Sequence, residues 1–186
     1  RNEALNSIIA KVLGVLEENG DSFVNDFNIR LKKNGKFAFT VEGTRLMRFR
    51  ADIYGKRKID DLGWDKELKY NTAEATEDQI IAYLCGEDKY NLESTDYSPE
   101  MKYKIMVIRY ALAQNAYQKY ISTTIATGVS EKTMAYIKEN KADLQGVDIE
   151  EDYIRKYDDS VYFASMIGYT GKISTEEYEE LSEKND

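Results

Sequence analysis

A hairpin signal within residues 23–54 constrains the fold of this 186-residue chain more than any other part of its sequence. Apolar residues occupy every second position over residues 27–31, the pattern of a strand with one buried and one solvent-exposed face. Asn34-Gly35 follows, a dipeptide that supplies the two positive-φ residues of a tight hairpin turn. The alternation resumes over residues 37–41, so the sequence predicts two antiparallel strands joined by this turn.

The alternation continues beyond Gly43 and predicts a third strand over residues 47–54. In such a strand Arg48 and Arg50 project from the same side. The predicted fold class is therefore α+β: an N-terminal helix plus a three-stranded antiparallel meander, followed by a helical C-terminal lobe. The predicted domains are residues 1–58 (helix plus basic β-meander lobe), 59–73 (connection) and 74–186 (acidic helical lobe), with one continuous domain as the alternative.

Helical spacing and capping residues mark the other elements. The first helix stops at Gly20, and Thr76 with Gln79 forms a capping box for the second. Ser98-Pro99 supplies an N-cap and a first-turn proline for a long third helix. The predicted helices are residues 4–18, 77–85, 99 to about 127, a short one after Ser130, and two more beginning after Asp148 and Ser174.

Composition limits the chemistry that this chain can perform. It has no histidine and one cysteine, Cys85, so it lacks the commonest general base and the residues of a structural zinc site. We therefore expect no cofactor, no metal and no enzymatic activity. A single cysteine favours a reducing compartment, and no apolar run approaches the roughly 20 residues that span a bilayer. The chain is predicted to be cytoplasmic, without membrane contact.

Charge is distributed unevenly along the chain. Residues 30–58 contain ten basic and two acidic residues, although the whole chain carries a net charge of −8. A surface of one sign attracts phosphate or an acidic protein, whereas the alternative is that these cations blunt the exposed edges of the sheet. The candidate binding residues on this predicted basic sheet face are Arg30, Lys32, Lys36, Arg48, Arg50, Lys56, Arg57 and Lys58.

The C-terminal part offers the opposite charge. Residues 139–186 contain fourteen acidic and five basic residues. Such a surface either keeps the protein soluble or imitates nucleic-acid phosphate toward a basic partner. The residues of this alternative binding surface are Glu150, Glu151, Asp152, Asp158 and Asp159.

Two short segments resemble known motifs. Residues 128–134 resemble the turn and the start of the recognition helix in helix-turn-helix proteins. The resemblance covers about residues 120–140, and a plain helical hairpin is the alternative. The second resemblance is to the Asp and Glu-x-Lys arrangement of Mg²⁺-dependent nucleases, and the residues here are Asp52, Glu67 and Lys69. In such sites the carboxylates hold the metal and the lysine orients a water.

In size, charge, absence of catalytic residues and lack of a familiar motif, the chain resembles the anti-CRISPR inhibitors of phages and mobile elements. That resemblance implies a non-enzymatic inhibitor in a bacterial host cell that occludes a protein partner, a nuclease or its ribonucleoprotein complex, with possible direct contact to RNA or DNA. The alternatives are a DNA- or RNA-binding regulator and a Mg²⁺-dependent nuclease. The sequence leaves the oligomeric state open.

Overall fold

The computed structural model describes residues 2–116 and 122–151. The chain divides into two units, residues 1–149 and 150–186, and every element below belongs to the first. The elements are α1 (Asn2–Glu18), β1 (Ile29–Leu31), β2 (Phe37–Phe39), α2 (Gly43–Ile53), β3 (Trp64–Asp65), β4 (Tyr70–Asn71), α3 (Glu77–Cys85), α4 (Pro99–Gln114) and α5 (Glu131–Glu139). The predicted α+β class is confirmed. The predicted domain boundaries stay a prediction, and the helices predicted after Asp148 and Ser174 lie outside the described residues.

β1 and β2 form the predicted antiparallel hairpin. Ile29 pairs with Phe39 and Leu31 with Phe37, which is the register that the alternation predicts. The turn is wider than predicted: Lys32 and Lys36 close it with a main-chain hydrogen bond of 2.8 Å, and only Gly35 has a positive φ, +78°. A three-residue loop with glycine in the left-handed position suits this geometry.

The predicted third strand is wrong, because residues 43–53 form helix α2. Phe49 and Ile53 are buried as predicted, but a spacing of four residues fits one face of a helix as well as one face of a strand. Between residues 44 and 52 only Thr44 is β-branched, and arginine, leucine and methionine are strong helix formers. Local propensity therefore favours the helix.

α4 is the central helix of the main core. Ser98 caps it by accepting a hydrogen bond of 3.2 Å from the Met101 N–H, and Pro99 is its first residue, as predicted. Four consecutive residues, 105–108, are buried, so neighbours surround this helix. α1, α2, α3 and the β1–β2 hairpin all contribute buried residues to the same core.

The predicted extension of this helix to about Thr127 is wrong, since α4 ends at Gln114. Residues 123–125 are β-branched, which disfavours a helix. Their segment runs alongside residues 23–24 instead, where the Val24 N–H donates to the Ile125 carbonyl over 2.6 Å. Both the helix-turn-helix interpretation and its helical-hairpin alternative fail, because residues 122–127, the described residues directly before Gly128, do not form a helix.

α5 begins at the predicted cap and packs against α1. Val12 and Leu16 of α1 form a second small core with Ile137 of α5 and Leu144. The Asp21 carboxylate accepts hydrogen bonds from the Ser130 N–H over 3.0 Å and from the Ser130 hydroxyl over 2.8 Å. It also accepts one from the Thr133 hydroxyl, so a single acid after α1 holds the first turn of α5.

Candidate interaction surface

The predicted basic sheet face does not exist as one surface. Arg48 and Arg50 lie on α2, where residues two apart project about 200° from each other. Arg48 is half exposed, forms an ion pair with Asp52 and donates a hydrogen bond of 2.9 Å to the Arg57 carbonyl. The two arginines therefore lie on different faces of α2 and have different environments.

Arg50 faces the protein rather than solvent. Its Nε and Nη2 atoms donate to the Ala75 carbonyl over 3.1 and 2.8 Å, and Nη1 donates to the Ala73 carbonyl over 2.6 Å. The guanidinium carbon lies 5.4 Å from the ring centroid of Phe39. Burial lowers the pKa of Arg50 from its ordinary value. Arg50 thus joins α2 to the chain before α3, a structural role.

Arg30 is likewise used within the fold. Its guanidinium donates to the Asn25 side-chain oxygen over 2.9 Å, to the Asn25 carbonyl over 2.6 Å and to the Phe27 carbonyl. The remaining predicted cations lie in two separate places. Lys32 and Lys36 flank the β1–β2 turn and are exposed, whereas Lys56, Arg57 and Lys58 follow α2.

The alternative acidic surface is only partly described. Glu150 and Glu151 are exposed at the end of the described chain. Asp152, Asp158 and Asp159 lie outside the described residues. Whether these acids bind anything stays a prediction.

The residues that resemble a Mg²⁺ site do not form one. Asp52 belongs to α2 and is paired with Arg48, whereas Glu67 and Lys69 lie in the turn between β3 and β4. Across residues 2–116 and 122–151, no group of three or more acidic or cysteine residues is arranged to hold a metal ion.

The hairpin of β3 and β4 emerges from a segment that the sequence suggested was only a connection. Its base is fixed by buried Thr72, whose N–H donates to the Gly63 carbonyl over 2.8 Å. The Thr72 hydroxyl also accepts from the Gly63 N–H and donates to the Gly63 carbonyl, both over 3.0 Å. In the turn, Asp65 accepts hydrogen bonds from the N–H groups of Glu67 and Leu68. These hydrogen bonds fix both the base and the turn of the hairpin.

Tyrosines attach this hairpin to the helices. The hydroxyls of Tyr54, at the end of α2, and Tyr70, on β4, lie 3.0 Å apart. The Tyr54 ring also packs against Tyr83 of α3, with 4.9 Å between centroids. Burial raises the pKa of Tyr54, so its hydroxyl stays protonated and can donate to Tyr70.

Trp64, on β3, is the most exposed large hydrophobic residue in the described part of the chain. It has 69% of its surface in solvent, compared with 38% for Tyr136, the other large hydrophobic residue that is exposed. Tryptophan is usually well buried and is enriched among the residues that dominate binding energy at interfaces, so Trp64 is a candidate contact residue. Sequence reasoning missed it, although Trp64 is the chain's single tryptophan. The presence of a lone tryptophan between two turn-rich stretches was the sequence signal that could have indicated this residue.

A polar cleft of about 670 Å³ is lined by Glu3, Asn6, Ser7, Asn91, Ser94, Thr95, Asp96 and Tyr97. Its buried polar group is already used. Asn6 accepts a hydrogen bond of 2.7 Å from Arg109 and donates one of 2.8 Å to the Tyr90 carbonyl. The Arg109 guanidinium lies 4.9 Å from the Tyr90 ring centroid, so this cluster joins α1 to α4 rather than awaiting a ligand.

Comparison with known proteins identifies the family. No helix of the described residues has the length and apolar character needed to cross a membrane. None of the curated proteins matches the chain. The family model described as the penicillin-binding protein dimerisation domain matches residues 2–186. That match overturns the anti-CRISPR resemblance, and with it the inhibitor and regulator functions and the nuclease or ribonucleoprotein partner. Because the match spans nearly the whole chain, this protein belongs to the penicillin-binding protein dimerisation domain family.

Proposed function

We propose that this chain is a non-catalytic module through which a penicillin-binding protein associates with a second copy of itself. The observation that carries the proposal is the family match over residues 2–186, whose description names dimerisation. The single fixed, exposed tryptophan supports it, because tryptophan is enriched among the residues that dominate binding energy at protein interfaces.

Cys85 and Tyr110 are both poorly suited to nucleophilic or acid–base catalysis at neutral pH. A general acid or base works best with a pKa near the working pH. Burial instead raises the pKa of the Cys85 thiol to about 11, which leaves it protonated and a poor nucleophile at neutral pH. Burial also raises the pKa of Tyr110.

The proposal is tested by measuring the molar mass of the full chain as a function of concentration. Sedimentation equilibrium from micromolar to near-millimolar protein should show the mass rising from the monomer value of 21.5 kDa toward twice that value. A mass that remains at the monomer value at the highest concentration would overturn the proposal.

The predicted cytoplasmic location stays a prediction, which cell fractionation would test.

A further inference from the structure

The corner of the molecule around Trp64, residues 56–69, combines three properties that a contact between two copies requires. We call it the Trp64 corner. We propose that a second copy of this chain docks on the Trp64 corner in a two-fold contact that buries both Trp64 side chains; this inference rests on the proposed function. The properties are an exposed anchor on a fixed support, an open strand edge and a balanced charge.

The anchor is already held in position before binding. The Gly63–Thr72 hydrogen bonds and the contact between Tyr54 and Tyr70 fix the hairpin on the helices. A contact residue on a rigid support loses little conformational entropy when it binds. The 69% exposure of Trp64 is therefore a feature of an ordered hairpin.

β3 also has an open edge. Among the described strands β3 pairs with β4 alone, with Trp64 opposite Asn71. In an antiparallel ladder, every second residue pair is joined by main-chain hydrogen bonds. The Gly63–Thr72 pair is joined in this way, so the next pair, Trp64 and Asn71, is not. The main-chain N–H and carbonyl of Trp64 consequently point to the outer edge. A second β3 related by a two-fold axis can pair there in antiparallel orientation.

The family description names dimerisation, and the charge of the Trp64 corner is compatible with a second copy as the occupant. A two-fold contact places one surface against itself, so a surface of one sign repels its own copy. The chain carries a net charge of −8, but the Trp64 corner has five basic and four acidic residues, so it is nearly neutral and both signs can pair across the axis. The basic residues are Lys56, Arg57, Lys58, Lys66 and Lys69, and the acidic residues are Asp60, Asp61, Asp65 and Glu67.

The chain supplies its own probe, because Trp64 is the single tryptophan. Its fluorescence should shift to shorter wavelength and resist acrylamide quenching over the same concentration range in which the mass doubles. Trp64→Ala should raise the dimer dissociation constant by at least about tenfold, as expected for an interface anchor. The matched control is Tyr136→Ala, on α5, which removes the other exposed aromatic among residues 2–116 and 122–151 and should leave the dissociation constant within about twofold of wild type.

The outcomes separate the surface from the function. A wild-type chain that dimerises while Trp64 emission stays constant, with Trp64→Ala dimerising equally well, overturns the Trp64 corner and leaves the proposed function intact. A wild-type chain that remains monomeric at every concentration overturns both. The melting temperature of Trp64→Ala should match that of wild type, which ensures that a weaker dimer reports on the contact rather than on unfolding.

Discussion

Replacing Arg50 by methionine tests whether this cation is structural. Methionine keeps an unbranched apolar stem but lacks the guanidinium, so it removes every donor to the Ala73 and Ala75 carbonyls. Ala75 is fully buried, so its carbonyl has little access to replacement water. An unpaired buried acceptor costs about 1–3 kcal/mol, and the lost cation–π contact with Phe39 costs about 0.5–1 kcal/mol. We expect Arg50→Met to lower the free energy of unfolding by about 2–4 kcal/mol.

Arg48→Met is the matched control, on the same helix and with the same change in charge. It removes an exposed ion pair with Asp52, which contributes about 0.3–0.5 kcal/mol at helical i,i+4 spacing, and an exposed hydrogen bond to the Arg57 carbonyl, for which water can substitute. Urea unfolding followed by circular dichroism would compare the two variants, with the slope m checked for equality. In thermal unfolding, Arg50→Met should lower Tm by about 4–16 °C.

Equal destabilisation by the two variants would refute this assignment. If both effects are small, Arg50 contributes no more to stability than an exposed residue, which agrees with the exposed position that the sequence predicted. Arg50→Lys should fall between wild type and Arg50→Met, because an ammonium group cannot reproduce the planar fork that reaches two carbonyls.

Two further predictions concern titratable groups. Hydrogen bonds accepted from Thr133 and Ser130 hold the pKa of Asp21 below its ordinary value, so the carboxylate stabilises the fold above about pH 4 and that contribution is lost as pH falls through the lowered value. Asp21→Asn should therefore melt below wild type at pH 7, by a margin that narrows below about pH 4; a margin independent of pH would contradict the linkage. Cys85, with its pKa raised to about 11 by burial, should react with an alkylating reagent at pH 8 about 100-fold more slowly in the native than in the unfolded protein. Similar rates would show that the thiol is not buried.

The elements that the sequence predicted correctly are those specified by neighbouring residues. Thr76 and Gln79 cap α3 in the predicted reciprocal manner, with Gly86 after its last residue. Ser98 and Ser130 cap α4 and α5 in the same local way. A capping hydrogen bond spans three residues, so the sequence window that contains the pattern contains its partner too. Fold class followed from such signals.

The errors arose where distant contacts decide the outcome. Arg50 reaches Ala73 and Ala75, more than twenty residues away, and no local pattern shows that these carbonyls await a donor. The Tyr54–Tyr70 contact fixes a hairpin whose own sequence lacks periodicity, so the support of Trp64 could not be predicted either. A charge count over residues 30–58 adds cations that the fold separates, and three of them, Arg30, Arg48 and Arg50, donate to main-chain carbonyls.

The uneven charge of the chain fits self-association better than the nucleic-acid partner it first suggested. Two copies that each carry −8 repel, and the screening length at physiological salt, about 8 Å, leaves that repulsion strong only at short range. The penalty is therefore smallest when the contact uses a part of the surface that is not acidic. The Trp64 corner is nearly neutral, and it adjoins Arg48, whose Nη1 atom donates to the Arg57 carbonyl. Lys56, Arg57 and Lys58, the last three cations of residues 30–58, offset acidic residues of the Trp64 corner, and this is the part of the surface where we propose that two acidic chains meet.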